Sequence, residues 1–138
     1  MLEPKKLKYR RQFKGKNRGK ATRGTLVSYG EYGLKALTHG AITAREIEAA
    51  RKAIRGYVKR GGKVWIRIFP DVPVTKKPAE VRMGSGKGPF DHYIAKIKPG
   101  RVLFEMSGVE EEVAKEAMRR GGHKLRVRTR FVRKEDSE

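Results

Sequence analysis

Positive charge is concentrated at the N-terminal end of this chain, and this concentration limits what that end can fold into. The 138 residues carry a net charge of +20, and residues 1–24 alone contribute +9, from ten Lys or Arg residues and the single acid Glu3. This segment also lacks any sustained apolar period of 2 or 3.6 residues, so it cannot bury a face of its own. We expect it to be disordered in isolation and to bind a polyanion, with a solvated tail as the alternative.

Composition excludes several classes of protein. The sequence contains no cysteine, which excludes disulfides, thiolate metal sites and cysteine nucleophiles. No apolar run approaches the roughly 18 residues that a membrane span needs, and no apolar stretch follows the basic N-terminus as it does in a secretory signal. The length suits one domain over residues 1–138, with residues 1–24 as a basic extension. We therefore expect a soluble, intracellular and strongly cationic protein.

Two segments have the pattern of amphipathic helices. In the first, Thr43 and Glu46 have the spacing of a capping box, and apolar residues then recur at helical spacing. In the second, Ser107 and Glu110 have the same capping-box spacing. A Gly-Gly pair follows each segment, as is typical of a helix end. The predicted helices cover residues 43–60 and 108–120.

Six short runs rich in β-branched or aromatic residues predict strands. Lys63–Phe69 alternates between aliphatic residues and a set of aromatic and cationic ones, so its two faces are used differently. The last run places Arg126, Arg128 and Arg130 on one face, which is either a solvated strand face or, as we prefer beside a basic tail, a row that faces RNA. The predicted strands are Thr25–Tyr29, Tyr32–Thr38, Lys63–Phe69, His92–Lys98, Val102–Met106 and Leu125–Val132. With the two helices, they predict an α+β fold with a mixed or antiparallel sheet.

Residues 70–89 form an unusually long Pro/Gly-rich connection, and long loops in small domains are commonly functional. They contain four of the six prolines and the run Gly84–Gly88, whose backbone N–H groups can approach and bind an anion. Arg82 and Lys87 add positive charge beside this run. A flexible loop with incidental charge is the alternative. Neither G-x-x-x-x-G-K-[ST] nor G-x-G-x-x-G is matched, which excludes the two common nucleotide-binding loops.

The sequence offers little that suggests an enzyme. The three histidines lack the spacing of metal ligands. Asp71, Glu80 and Asp91 flank or lie in the long loop and could hold Mg²⁺ for a nuclease, but their spacing does not single them out. We therefore predict no catalytic residue, no metal site and no cofactor. A small nuclease and a free-standing RNA chaperone remain as alternatives to a structural RNA-binding protein.

Two motifs resemble those of the bacterial-type L16 (uL16) family of large-subunit ribosomal proteins, which is related to the archaeal and eukaryotic L10e proteins. They are KVWIRIFP at residues 63–70 and KPAEVRMGSGKG at residues 77–88, and the resemblance extends from Pro4 to Phe131. One departure is Arg126, where members of the family usually have proline. The resemblance implies an α/β-hammerhead type of α+β fold and a structural role in the large subunit.

The resemblance also implies partners and site residues. It implies binding to 23S-type rRNA and to neighbouring large-subunit proteins, and contacts with A- and P-site tRNA near the peptidyl transferase centre. It also implies a cytoplasmic ribosomal location without self-association, with the ribosome of an organelle as the alternative. The residues expected to bind tRNA are Lys77, Arg82, Met83, Gly84, Ser85, Gly86, Lys87 and Gly88. The residues expected to bind rRNA are Lys5, Lys6, Lys8, Tyr9, Arg10, Arg11, Lys14, Lys16, Arg18, Lys20, Arg23, Arg55, Lys59, Arg60, Lys63, His123, Lys124, Arg126, Arg128 and Arg130.

Overall fold

A computed structural model describes residues 2–5, 17, 19–59, 61–75 and 90–136 of the chain. Within these ranges it contains seven strands, two α-helices and a short 3₁₀ helix at Lys134–Asp136. The strands are β1 (Tyr32–Ala36), β2 (Gly40–Thr43), β3 (Lys63–Ile66), β4 (Val72–Thr75), β5 (Phe90–Ile97), β6 (Val102–Ser107) and β7 (Thr129–Arg133). The helices are α1 (Ala44–Val58) and α2 (Glu111–Gly122).

The strands form two antiparallel sheets. One sheet has four strands in the order β3-β6-β1-β7, and the other has three in the order β2-β5-β4. Every described strand pair is antiparallel. The predicted α+β class with two helices is therefore confirmed.

Helix α1 confirms the first predicted helix. The Thr43 side chain accepts a bond from the Glu46 N–H at 3.1 Å, and the Glu46 carboxylate accepts one from the Thr43 N–H at 3.2 Å, so the capping box is complete. The predicted end at the glycine pair is wrong. The helix ends at Val58, and Lys59 caps it with a φ of +56° and a backbone N–H that donates to the Arg55 carbonyl at 2.8 Å.

Helix α2 departs from the prediction at both ends. Ser107 is the last residue of β6, and Glu110 precedes the helix with no side-chain cap bond, so the second predicted capping box is wrong. Gly121 and Gly122 lie inside the helix rather than after it. A Cβ on Gly121 would meet Cγ1 of Ile54 in α1 at 2.6 Å. Gly121 therefore serves the close packing of the two helices.

The strand predictions are partly confirmed. Strands β1, β5 and β6 match three predicted strands, but β3 ends at Ile66 and β7 begins only at Thr129. Thr25–Tyr29 is not a strand, because the Ser28 and Tyr29 N–H groups bind a side chain instead of a neighbouring strand. Strands β2 and β4 were not predicted.

Strand β4 shortens the predicted loop 70–89. It lies at the edge of its sheet and pairs with β5. Pro73 lies within it, and an edge strand tolerates proline because one side of the strand needs no ladder bond. The remaining connection, residues 76–89, lies outside the described residues.

The core lies where α1 and α2 pack against each other and on the sheets. Buried residues of both helices and both sheets form one cluster, and Leu2 packs on its edge. Residues 19–24 also contact the domain: the Ala21 N–H binds the Pro99 carbonyl at 3.0 Å, and the Gly24 carbonyl accepts from Val102 at 2.7 Å. This part of the extension therefore pairs with the domain, whereas the prediction that the extension is disordered in isolation stays a prediction. Neither α1 nor α2, the helices of the described ranges, combines the length and apolarity that crossing a bilayer requires.

Candidate nucleic-acid interface

The four-stranded sheet has two different faces. Val64 and Ile66 of β3 pack against the core beside the helices. Since successive side chains of a strand point to opposite faces, Lys63, Trp65 and Arg67 lie on the other side. The strand register adds further residues to that side, which we call the outer face. Its residues are Lys35, Lys63, Trp65, Arg67, Glu105 and Arg130.

A buried glutamate organises the outer face. The Glu105 side chain is fully buried, and its Oε1 accepts backbone bonds from Ser28 at 3.0 Å, Tyr29 at 2.7 Å and Gly30 at 2.8 Å. Its Oε2 pairs with the Arg67 guanidinium. Burial alone would raise the pKa of Glu105, but the bonds from the three N–H groups and Arg67 hold this pKa below its ordinary value. The ionised carboxylate therefore fixes residues 28–30 against the sheet.

Two cations face each other across β1 and β7. Lys35 lies directly opposite Arg130 in the strand register. Burial lowers the pKa of Lys35, and the charge of Arg130 lowers that pKa further. Like charges in directly opposed positions destabilise a sheet. An anion bound here would relieve that repulsion.

The arginine row before and within β7 is exposed, as predicted. Arg126, Arg128 and Arg130 are exposed, although the first two precede the strand. Arg126 keeps 75% of its side chain exposed while its Nε lies 3.3 Å from a carboxylate oxygen of Glu46. Neither Arg128 nor Arg130 has an acidic partner in the part of the chain that the structure describes. Both are available to neutralise an external anion.

Grooves beside α2 bring together the predicted residues of the C-terminal third. A groove of about 760 Å³ is lined by His123, Arg126 and Arg128 together with Lys115 and Arg119 of α2. A second depression of about 540 Å³ shares His123 and adds Lys124. The groove also contains acid, since Glu116 binds Arg119 and Arg120, whose hydrogen bonds lower the pKa of Glu116 to about 2.

A third cationic cluster surrounds the end of the N-terminal extension. Lys20 and Arg23 line a cavity of about 330 Å³ with Lys96, Lys98 and Arg101. Arg101 donates to the carbonyls of Arg23 at 3.2 Å and Arg67 at 2.8 Å, and burial, followed by the charge of Arg67, lowers its pKa. Sequence reasoning missed Lys96 and Lys98, although their alternation with buried residues of β5 is a signal that could have found them.

The other predicted residues are scattered or undescribed. Lys5, Arg55, Lys59 and Lys63 are exposed, the middle two along α1 and just after it. Nine predicted rRNA-binding residues lie outside the described residues: Lys6, Lys8, Tyr9, Arg10, Arg11, Lys14, Lys16, Arg18 and Arg60. All the predicted tRNA-binding residues also lie outside them: Lys77, Arg82, Met83, Gly84, Ser85, Gly86, Lys87 and Gly88.

The structure describes the strands on either side of the tRNA-binding segment. Thr75 at the end of β4 lies opposite Phe90 at the start of β5 in an antiparallel pair. Residues 76–89 therefore start and finish at one end of a strand pair. Among the described residues, no group of three or more His, Asp or Glu side chains is placed to hold a metal ion.

Comparison with known proteins gives consistent matches over nearly the whole chain. A family model described as ribosomal protein L16p/L10e matches residues 4–132. The large ribosomal subunit protein uL16 of Alkalilimnicola ehrlichii is 62% identical over 134 residues, which cover 97% of this chain and 98% of that protein. The protein of the same name from Halorhodospira halophila is 63% identical over 132 residues, 96% of each chain. The resemblance indicated by the sequence motifs is confirmed.

Proposed function

The chain belongs to the L16p/L10e family of ribosomal proteins, and from that premise we propose that it binds large-subunit rRNA through its cationic surfaces and the A- and P-site tRNAs through residues 77–88. Membership makes it a structural constituent of the large ribosomal subunit and not an enzyme. It therefore resides in the ribosome, in the cytoplasm, among large-subunit RNA and proteins. In our proposal its contacts support both translation and subunit assembly.

The exposed arginine row before and within β7 is the observation that carries the rRNA-binding proposal. Arg130 lies opposite Lys35 in the sheet, so the two charges add to the positive potential that an RNA phosphate meets there. Arg128 and Arg130 have no acidic partner in the described ranges, so they are not committed to internal ion pairs. RNA phosphates supply anions at the close, regular spacing that such a row needs.

The tRNA-binding proposal rests on the loop carried by β4 and β5. The strand pair anchors both ends of residues 76–89, so a contact made by the loop is positioned relative to the domain. The glycines at 84, 86 and 88 let the backbone approach a phosphate, while Arg82 and Lys87 supply charge. The proposed role of the loop is to position tRNA near the peptidyl transferase centre without taking part in the chemistry.

Replacing Arg82 with alanine tests the loop. Arg82→Ala is expected to enter large subunits as well as the unchanged protein, but to weaken A-site tRNA binding by about tenfold or more, since a hydrogen bond to a charged group contributes about 1.5–3 kcal/mol. The measurements are incorporation into reconstituted large subunits and tRNA affinity of those subunits.

Arg45→Ala is the matched control, because Arg45 is an exposed cation on α1 that lines none of the grooves described above. It should leave both incorporation and tRNA affinity unchanged. Normal incorporation of Arg82→Ala with unchanged tRNA affinity would contradict the proposed role of Arg82, as would a defect confined to incorporation.

A further inference from the structure

An aromatic pair lies at the surface of the outer face, where Tyr29 has 64% of its surface exposed and Trp65 is half-buried. The Tyr29 ring is stacked on that of Trp65, with the ring centroids 6.3 Å apart and the planes at 25°. We call Tyr29, Trp65, Lys63 and Arg67 the aromatic platform.

The platform is held in place before any ligand arrives. The Tyr29 backbone N–H donates to Glu105 at 2.7 Å, between the equivalent bonds of Ser28 and Gly30. Gly33 leaves room for this segment, since a Cβ there would meet Cγ2 of Val27 at 2.8 Å. A ring whose backbone is fixed in this way loses little conformational freedom when something stacks on it.

Two cations lie over the two rings. The Arg67 guanidinium carbon is 5.0 Å from the centroid of the Tyr29 ring, and Nζ of Lys63 is 5.1 Å from the centroid of the Trp65 ring. Arg67 is also paired with Glu105, which fixes its position, whereas Lys63 is exposed at the start of β3. The platform therefore combines aromatic rings with a positive charge held over each of them.

We infer that the aromatic platform binds an unpaired nucleobase, with Lys63 beside the phosphate that follows or precedes it. Aromatic side chains flanked by cations are the usual means of holding single-stranded RNA, because each nucleotide offers a flat base and an anionic phosphate. A duplex is a poorer ligand for the platform because its bases are stacked on each other. An apolar protein segment is also a poorer ligand, because it has no anion to pair with Lys63. This inference rests on the proposed binding of rRNA and names the part of the RNA that the platform takes.

Trp65 is the chain's single tryptophan, so its fluorescence reports directly on the platform. The test titrates the full chain with a single-stranded oligoadenylate of about 12 nucleotides and, separately, with an RNA duplex of equal length. The single strand should quench Trp65 emission as it binds. The duplex should bind through its phosphates and leave the emission nearly unchanged.

Two substitutions separate stacking from general apolar contact. Tyr29→Leu keeps apolar bulk but has no aromatic face, and it should weaken binding of the single strand by about 5- to 150-fold. Its salt dependence should be unchanged, since no charge is removed. Tyr29→Phe keeps the ring and should bind as the unchanged protein does. Tyr32→Leu is the control and should leave this binding unchanged, because Tyr32 also stacks on an aromatic ring, that of Phe131 at 5.5 Å, but packs against the core.

The fluorescence and binding results together test whether the platform stacks on a nucleobase. Quenching by the single strand together with its loss in Tyr29→Leu, at an unchanged melting temperature, supports the inference. Unchanged emission, equal quenching by the duplex, or normal binding by Tyr29→Leu would overturn it, and would leave the platform to a protein neighbour while rRNA binding stands. Failure of the unchanged protein to bind large-subunit rRNA would instead overturn the proposed function and, with it, this inference.

Discussion

At the scale of single residues, Glu105 connects the core to the surface. Its carboxylate is buried, yet it holds the backbone of residues 28–30 and the guanidinium of Arg67. Breaking a buried charge pair by removing one partner is costly, because the other charge stays buried without compensation. The aromatic platform at the surface therefore depends on a fully buried residue.

Glu105→Gln is expected to lower the free energy of unfolding by about 3–5 kcal/mol near pH 7. The pKa of Glu105 is depressed in the folded state. Its stabilisation is therefore complete above the unfolded carboxyl pKa of about 4.3 and is lost as the pH falls through the folded-state value. The difference between the two proteins should narrow as the pH falls below about 4. Urea unfolding across this range measures it.

Glu31→Gln is the control for this experiment. Glu31 is an exposed glutamate beside the same segment, so its replacement should change stability by less than about 0.5 kcal/mol at pH 7. An equal effect of the two substitutions, or a Glu105→Gln penalty that does not change with pH, would be incompatible with an ionised and buried Glu105.

At the scale of elements, the sequence predicts the start of α1 but not the contacts between segments that are far apart in the chain. A local pattern can also fail, since Ser107 of the second predicted capping box ends β6 instead. The α1 start was predictable because its capping box involves residues three apart. Tyr29 was assigned to a strand because the pattern of 25–29 cannot show that its N–H binds a carboxylate 76 residues away. The arginine row is predictable because it requires only that cations alternate along one strand. The aromatic platform is not predictable, because it depends on the contact between Tyr29 and the distant Glu105.

Two helical glycines test whether a glycine is needed for the packing of one helix on the other. Gly121→Ala in α2 places a Cβ against buried Ile54 and should destabilise the protein by about 1–3 kcal/mol through overpacking. Gly56→Ala in α1 meets nothing within 4 Å and should stabilise it by about 0.5–1 kcal/mol through helix propensity. Thermal or urea unfolding measures both. A stabilising Gly121→Ala would show that the helices are not in close contact there.

At the scale of the whole molecule, several acids pair with arginines of the same chain. In α2, Glu116 binds Arg119 and Arg120, and Glu111 binds Arg133. Arg128 and Arg130 have no such partner in the described ranges. Net charge alone does not reveal this division, since it counts paired and unpaired cations alike. RNA affinity should therefore depend on which arginines are removed and not only on how many.

Salt dependence distinguishes the two kinds of arginine. If about 6–10 phosphates are contacted, affinity for large-subunit rRNA should fall by about 10³–10⁵ between 50 and 200 mM salt, by analogy with duplex DNA. Removing Arg128 and Arg130 together should reduce the slope of log affinity against log salt by about 1.4–1.8, since each contact contributes about 0.7–0.9. Arg51→Ala with Arg119→Ala removes the same charge from arginines paired with Glu48 and Glu116, and should change the slope by less than half as much.

The unfolding free energy of the free protein shows whether a variant has lost an RNA contact or its structure. Removing Arg130 relieves its repulsion with Lys35 across β1 and β7, so the unfolding free energy should stay the same or rise by about 0.2–1 kcal/mol. A variant that binds rRNA more weakly while folding at least as stably has lost a contact with RNA and not its structure. Equal slopes for the two double variants would show that RNA responds to total charge. A loss of stability in the Arg128 and Arg130 variant would show that these arginines hold the sheet together instead.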